Sequence, residues 1–141
     1  MKFPLFCKRD NRTCDPDEVA SYVNINATTL LTDEEADHIR QQLMETNERS
    51  LNAYGELGCI LQLSEEMSEL NKSLIKWLRV RGFGQKTETT QEYVRDSVVE
   101  ELADTLAVCE QLKMLFNISD KELLVIDKDK LEKVNRRMDQ S

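Results

Sequence analysis

Apolar residues recur every three to four positions along most of the chain from Thr32 onward, which is typical of amphipathic helices. Residues 1–31 show no sustained period, and we expect them to form an irregular N-terminal arm. The pattern therefore predicts two parts, an arm at residues 1–31 and one helical domain at residues 32–141.

Capping signals and glycines place the first two helices of this domain. Thr32 is followed three residues later by Glu35, which is the capping-box pattern, so we expect a helix over about residues 33–50. The region around Gly55 and Gly58 is a predicted break or bend, although a glycine within a long helix is also tolerated at a cost of about 1 kcal/mol. A second helix is expected over about residues 56–80, and it ends at the loop sequence "RGFGQKTETT".

Two further helices follow this loop. Apolar spacing predicts a third helix over about residues 91–116. Ser119 and Glu122 form a second capping-box pattern for a fourth helix that ends near residue 137. Four helices in a chain with only 4 Gly and 2 Pro predict an all-α bundle. Leu57, Ile60 and Leu61 wrap more of the second helix than one neighbour would cover, which is consistent with a core completed by oligomerisation.

Charge and cysteine content narrow the class of protein. The formal net charge of −8 argues against a nucleic-acid polymer as partner, because a surface that follows phosphates needs an excess of Lys and Arg. Any nucleotide would have to be held by a local group of residues. No segment approaches the roughly 20 apolar residues of a membrane span. The apolar run in the N-terminal segment "MKFPLFCKRD" is too short for a signal peptide. The 4 cysteines lack a CxxC pair, so we expect reduced thiols and a cytoplasmic location.

The stretch "EEMSELNKSLIKW" crowds carboxylates into the second predicted helix. At about 100° per residue, Glu66 lies on the edge of the apolar stripe and Glu69 lies about 60° further toward solvent. In "EELADTL" on the third helix, Glu101 and Asp104 repeat this arrangement. If the two helices pack antiparallel through their apolar stripes, the four side chains converge on one cleft.

Convergent carboxylates need a compensating charge. Each pair of carboxylates about 4 Å apart costs roughly 4 kcal/mol at an effective dielectric of 20. Mg²⁺ binds oxygen ligands and retains waters and substrate phosphates, so it suits a site made only of carboxylates, with Mn²⁺ as an alternative ion. The competing interpretation is that these residues form ordinary solvated helix faces.

The paired motif Glu65-Glu66-x-x-Glu69 and Glu101-x-x-Asp104 resembles that of the MazG-like, all-α nucleoside triphosphate pyrophosphohydrolases. The resemblance covers about residues 57–137. It implies Mg²⁺-dependent hydrolysis of a nucleoside triphosphate to the monophosphate and pyrophosphate, by a homodimer or tetramer. It further implies that Glu66, Glu69, Glu101 and Asp104 are metal ligands and that Glu65 orients or deprotonates the attacking water. Such chemistry at phosphorus needs no Ser, Cys or His nucleophile.

Substrate-binding residues are expected outside the carboxylate motif. The segment "KLEKVNRRM" offers Lys130, Lys133, Asn135 and Arg137 to phosphates, although the same cations also suit a helix C-terminus. Trp77 lies about 16 Å along the helix from Glu66, where it would either stack on a base or pack in the core.

Three other motifs or classes remain for comparison. The loop "GFGQKT" lacks the full GxxxxGK[ST] spacing and follows a helix where that motif requires a strand, so we reject a Walker site. Glu35-x-x-His38 would begin a di-iron bundle, but the chain has 1 His and such a site needs two. The main alternative function is a non-catalytic helical adaptor or dimerisation protein with an acidic face.

Overall fold

The computed structural model describes residues 6–7, 12–13 and 31–141. In the arm, the two-residue strands Phe6–Cys7 (β1) and Arg12–Thr13 (β2) pair antiparallel, with Phe6 opposite Thr13 and Cys7 opposite Arg12. The remainder of the predicted irregular arm lies outside the described residues, with the exception of residue 31.

Three helices account for most of the described chain. They are α1, Asp33–Val80, with 48 residues; α2, Gln91–Phe116, with 26; and α3, Asp120–Asp139, with 20. The chain divides into a unit of Met1–Ile39 and a unit of Arg40–Ser141. The prediction of a mainly helical chain is confirmed for the described residues. The packing described below belongs to the Arg40–Ser141 unit.

Helix α1 contains both of the first two predicted helices. Thr32 caps its start, because the backbone N–H of Glu35 donates to Thr32 Oγ1 at 3.2 Å and the Thr32 N–H donates to Glu35 Oε2 at 2.8 Å. The predicted break is confirmed at Gly55, whose φ of 67° and ψ of −165° are not helical. Glycine adopts this conformation without the Cβ clash of other residues. Helical structure continues up to this glycine, beyond the predicted end near residue 50.

The second and third helices begin and end with local hydrogen bonds. Thr90 Oγ1 accepts from the Tyr93 N–H at 3.2 Å at the start of α2, and Asn117 ends that helix in the left-handed conformation. The predicted capping box at Ser119 and Glu122 is present at the start of α3. The observed bounds of α2 equal the predicted ones, and α3 extends two residues further than expected.

Buried side chains join α1 to α2. Val94 and Val108 of α2 and Cys59 of α1 are buried, and Cys59 is a free thiol. Asn47 and Gln111 are also buried, and their amides form a hydrogen bond of 3.1 Å from Gln111 Nε2 to Asn47 Oδ1. The Asn47 amide nitrogen donates to the carbonyl of residue 107 at 3.0 Å. This satisfied pair of amides fixes the two helices against each other, because an unpaired buried amide would be costly.

Many large apolar side chains remain exposed on the three helices. Helix α3 has no buried residue, and Val125 on it is 67% exposed. Exposed apolar residues on the same helix also include Leu123, Leu124, Ile126, Val134 and Met138. So many exposed apolar residues on one helix are typical of an interaction surface. Within the described residues, no helix combines the length and the apolar character needed to cross a bilayer.

Candidate metal centre

Three carboxylates from two helices meet at one point on the Arg40–Ser141 unit. Glu66 of α1 and Glu101 and Asp104 of α2 each place an oxygen within 4.8 Å of the oxygens of the other two. Glu101 and Asp104 lie three residues apart and therefore share one face of α2. Glu66 faces them from the neighbouring helix. The predicted convergence is thus observed for three of the four proposed ligands.

Antiparallel packing of α1 and α2 brings the carboxylates together. Glu66 lies beside residues 101 and 104, while Lys76 and Arg79, further along α1, share a cavity with Val94 nearer the start of α2. Advancing along α1 therefore means going backward along α2. This is the arrangement that the sequence required for its acidic pairs to face each other.

The helices near the cluster are supported by side chains that bond to their own backbone. The Thr105 hydroxyl, which is buried, donates to the Glu101 carbonyl at 2.8 Å. On α1 the Ser64 hydroxyl donates to the Ile60 carbonyl at 2.9 Å, and the Ser68 hydroxyl donates to the Ser64 carbonyl at 2.8 Å. Because each of these hydroxyls donates its hydrogen to a carbonyl of its own helix, none of the three donates to the carboxylates.

Partial burial and mutual repulsion act on Glu66. The pKa of Glu66 is raised above its ordinary value, first by partial loss of solvent and then by the charges of Asp104, Glu65, Glu101 and Glu69. Glu66 and Glu101 are half-buried, whereas Asp104 is exposed. A site that disfavours the charged form of one of its own carboxyl groups is electrostatically suited to a bound cation.

Glu69 makes a different contact from the one expected of a ligand. Its Oε1 lies 2.7 Å from the ammonium of Lys72, three residues further along α1. This hydrogen bond is the largest cause of the raised pKa of Lys72, and Glu101 and Glu65 contribute through their charges. Lys72 thus supplies positive charge beside the cluster. Sequence reasoning missed Lys72, although its i,i+3 spacing from Glu69 was a usable signal.

Glu65, the predicted catalytic base, lies next to the cluster without joining it. Its side chain is exposed, and its charge is close enough to raise the pKa of Glu66. An exposed carboxylate at this position can accept a proton from a solvent molecule that approaches the three clustered groups.

The predicted substrate-binding residues lie near the end of α1 and on α3. Trp77 is half-buried, and the guanidinium carbon of Arg81 lies 5.9 Å from the centre of its ring, within the range of a cation–π contact. On α3, the Lys133 ammonium pairs with Asp129 at 2.6 Å. The other three predicted phosphate contacts, Lys130, Asn135 and Arg137, are exposed on that helix. Within residues 31–141, no described contact brings these groups to the cluster.

The chemistry of the three carboxylates fits Mg²⁺. Neighbouring oxygens around an octahedral Mg²⁺ are about 3 Å apart, since each metal–oxygen distance is about 2.0–2.1 Å. The observed limit of 4.8 Å therefore requires movements of about 1–2 Å, which a change in side-chain torsions supplies. Three ligands from the protein would leave positions for water and for phosphate oxygens.

We find no match to this chain among protein-family models, curated proteins or solved structures.

Proposed function

We propose that the chain is a Mg²⁺-dependent nucleoside triphosphate pyrophosphohydrolase, which converts an NTP or dNTP and water into the monophosphate and pyrophosphate. The observation that carries the proposal is the meeting of Glu66, Glu101 and Asp104, whose oxygens lie within 4.8 Å of one another although they come from two helices. Both halves of the motif that resembles the MazG-like enzymes contribute to this cluster. In the cytoplasm, such a reaction would serve either the removal of damaged nucleotides or the control of a normal nucleotide pool.

In this proposal the carboxylates of the motif would bind the metal ion and accept a proton from water. Glu66, Glu101 and Asp104 would hold the ion, and Glu69 would join them by exchanging its contact with Lys72. When bound, Mg²⁺ would neutralise charge on the phosphate oxygens and make water a better nucleophile. Glu65, exposed beside the cluster, would accept the proton of the attacking water.

Self-association is part of the proposal. The exposed apolar residues of α3 would be covered in a homodimer or tetramer, since burial of apolar surface provides about 25 cal/mol per Å². Leu57 and Leu61 on α1 are exposed as well, at 71% and 59%. Both lie between Asn47 and Glu66, which contact α2, so their exposed side chains belong to a side of α1 that α2 leaves uncovered, and this supports a second helical neighbour.

The experiment is a measurement of pyrophosphate release from a panel of canonical and modified ribo- and deoxyribonucleoside triphosphates, with Mg²⁺ and with EDTA. We expect metal-dependent release with the monophosphate as the second product. Asp104→Asn should reduce turnover at least a hundredfold, because it removes a ligand with little loss of packing at this exposed position. Glu100→Gln is the matched control, since Glu100 is exposed on the same helix and lies outside the cluster.

A non-catalytic helical adaptor is the second candidate function, and the exposed apolar surface of α3 favours it. An adaptor would show no pyrophosphate release from any triphosphate and no stabilisation by Mg²⁺. Metal-filled carboxylates, in contrast, raise the free energy of unfolding by mass action when the ion is supplied. The same panel and a melting experiment with Mg²⁺ therefore separate the two functions.

A further inference from the structure

A cationic cavity lies on the same unit as the carboxylates but further along α1. It has a volume of about 190 Å³ and is formed by the last turns of α1, the connection to α2 and the first turns of α2. Lys76 and Arg79 enter it from α1, and Lys86 enters it from the connection. Buried Val94 of α2 contributes an apolar wall. Three positively charged residues, all of them exposed, thus line one space in a chain whose net charge is −8.

These three cations differ in their partners from those lysines of the unit that form ion pairs. Lys72, Lys113 and Lys133 each pair with a carboxylate at 2.6–3.0 Å. Among the ion pairs of the described residues, none includes Lys76, Arg79 or Lys86. Within the described residues, no carboxylate therefore lies within ion-pair distance of these three groups, and an anion that enters the cavity would gain the attraction of all three.

Hydroxyl groups complete the lining. Thr87 and Thr89 both face the cavity, and the Thr89 N–H donates to Thr87 Oγ1 at 3.3 Å. The Thr87 hydroxyl in turn lies 3.2 Å from the Thr89 hydroxyl and donates to it. Because Thr89 Oγ1 is the acceptor in that bond, its own hydrogen is available to donate to a ligand.

The set of groups matches the oxygens of a phosphate. The guanidinium of Arg79 offers a planar fork that pairs with two phosphate oxygens, and the two lysines act as point charges. A water molecule needs roughly 10–15 Å³ of such space, so the cavity has room for an anion of several non-hydrogen atoms. The loop "GFGQKT" supplies Lys86 and Thr87, so the segment that fails as a Walker motif still contributes phosphate-binding chemistry.

We propose that Lys76, Arg79, Lys86 and Thr89 form a binding site for a phosphate-type oxyanion, separate from the carboxylate cluster. Lys76 lies ten residues after Glu66, the member of the cluster on α1, which is about 15 Å along the helix. The oxyanion is either a distal phosphate of the nucleotide held at the carboxylates or a separate free phosphate. The first source rests on the proposed function, whereas oxyanion binding itself does not.

The test is isothermal titration calorimetry of the full chain with inorganic phosphate and pyrophosphate, in EDTA and at one fixed ionic strength. EDTA removes divalent ions, so the carboxylates repel the anion, and the substitutions then show whether the cationic cavity is where it binds. We expect saturable binding of at least one of the two anions. Lys76→Gln with Lys86→Gln should weaken it at least tenfold, and Lys76→Arg with Lys86→Arg should restore it. Lys128→Gln, an exposed lysine on α3, is the control and should leave affinity unchanged.

Absence of binding to the unaltered chain, or equal binding by the double glutamine variant with a native helical circular dichroism spectrum, would overturn the proposal. A second measurement identifies the source of the anion. If the site holds a distal phosphate of the substrate, the double glutamine variant raises the KM for the triphosphate at least tenfold, and pyrophosphate inhibits the unaltered enzyme competitively. If the unaltered chain binds the anion and the double glutamine variant has an unchanged KM for the triphosphate, the bound oxyanion is a free phosphate. Anion binding without any hydrolysis would refute the proposed function and leave this site intact.

Discussion

Replacing Glu66 by glutamine is expected to stabilise the metal-free protein, although it removes a native side chain. The oxygens of Glu66, Glu101 and Asp104 lie within 4.8 Å of one another, so Glu66 takes part in two repulsive pairs. At this separation and at the dielectric constant of water, each pair costs about 1 kcal/mol. Glutamine has nearly the same shape and no charge. The free energy of unfolding at pH 7 should therefore rise by about 1–2 kcal/mol, which raises the Tm by about 3–6 °C for a chain of this size.

Magnesium should largely cancel the stability advantage of Glu66→Gln, because the ion stabilises the unaltered protein more than the variant. A ligand present at a hundred times its Kd stabilises the native state by about 2.7 kcal/mol. If Glu66 is a ligand and its replacement weakens Mg²⁺ binding tenfold, the gain of the variant falls by about 1.4 kcal/mol. The assay is thermal melting followed by circular dichroism, at one protein concentration, in EDTA and in a series of Mg²⁺ concentrations. Glu100→Gln serves as control, and we expect it to follow the unaltered protein in both conditions.

The dependence of this effect on pH has a defined sign. Because the pKa of Glu66 is raised in the folded protein, ionisation of Glu66 costs the folded state more than the unfolded state. The stability that the protonated group provides is complete below the ordinary carboxyl pKa and is lost as the pH rises through the folded-state pKa. The advantage of Glu66→Gln in EDTA should therefore be largest at pH 7 and disappear as the pH falls below about 4. A variant that is no more stable than the unaltered protein in EDTA, and that retains the full response to Mg²⁺, would refute this reasoning.

Three further predictions concern the fold and its assembly. Asn47→Ala should lower the free energy of unfolding by about 1–3 kcal/mol in urea titrations, because buried Gln111 loses its acceptor; an unchanged midpoint would show that the amide pair is not structural. Ser119→Ala should cost about 1 kcal/mol by the same measurement, since it removes the acceptor for the Glu122 N–H, and no loss would contradict the role of this cap. Val125→Glu should shift sedimentation toward monomer, because it places a charge on the exposed apolar surface of α3. A monomeric unaltered chain would refute self-association.

Local features of the helices were predictable from the sequence. Thr32, Ser119 and Gly55 mark two starts and one break correctly, because capping and backbone freedom depend on residues within one turn of each other. The spacing of Glu101 and Asp104 likewise predicted a shared helix face. Such features need only the helical period, so the tertiary structure adds little to them.

Contacts between helices needed the tertiary structure. Sequence spacing makes Glu66 and Glu69 equally plausible members of the cluster, but the structure joins Glu66 to the carboxylates of α2 and pairs Glu69 with Lys72. The choice depends on side-chain torsions and on the position of α2, which the helical period does not specify.

The cationic cavity was likewise not predictable from the sequence. Lys76 and Lys86 lie ten residues apart, in a helix and in a connecting loop, and neither belongs to a recognised phosphate motif. Only the path of the loop and the antiparallel packing of α2 against α1 bring these charges to one space. The sequence by itself determined where the helices form and which charges they carry, because these depend on neighbouring residues. The tertiary structure alone decided which of those charges meet, because that depends on contacts between residues distant in the chain.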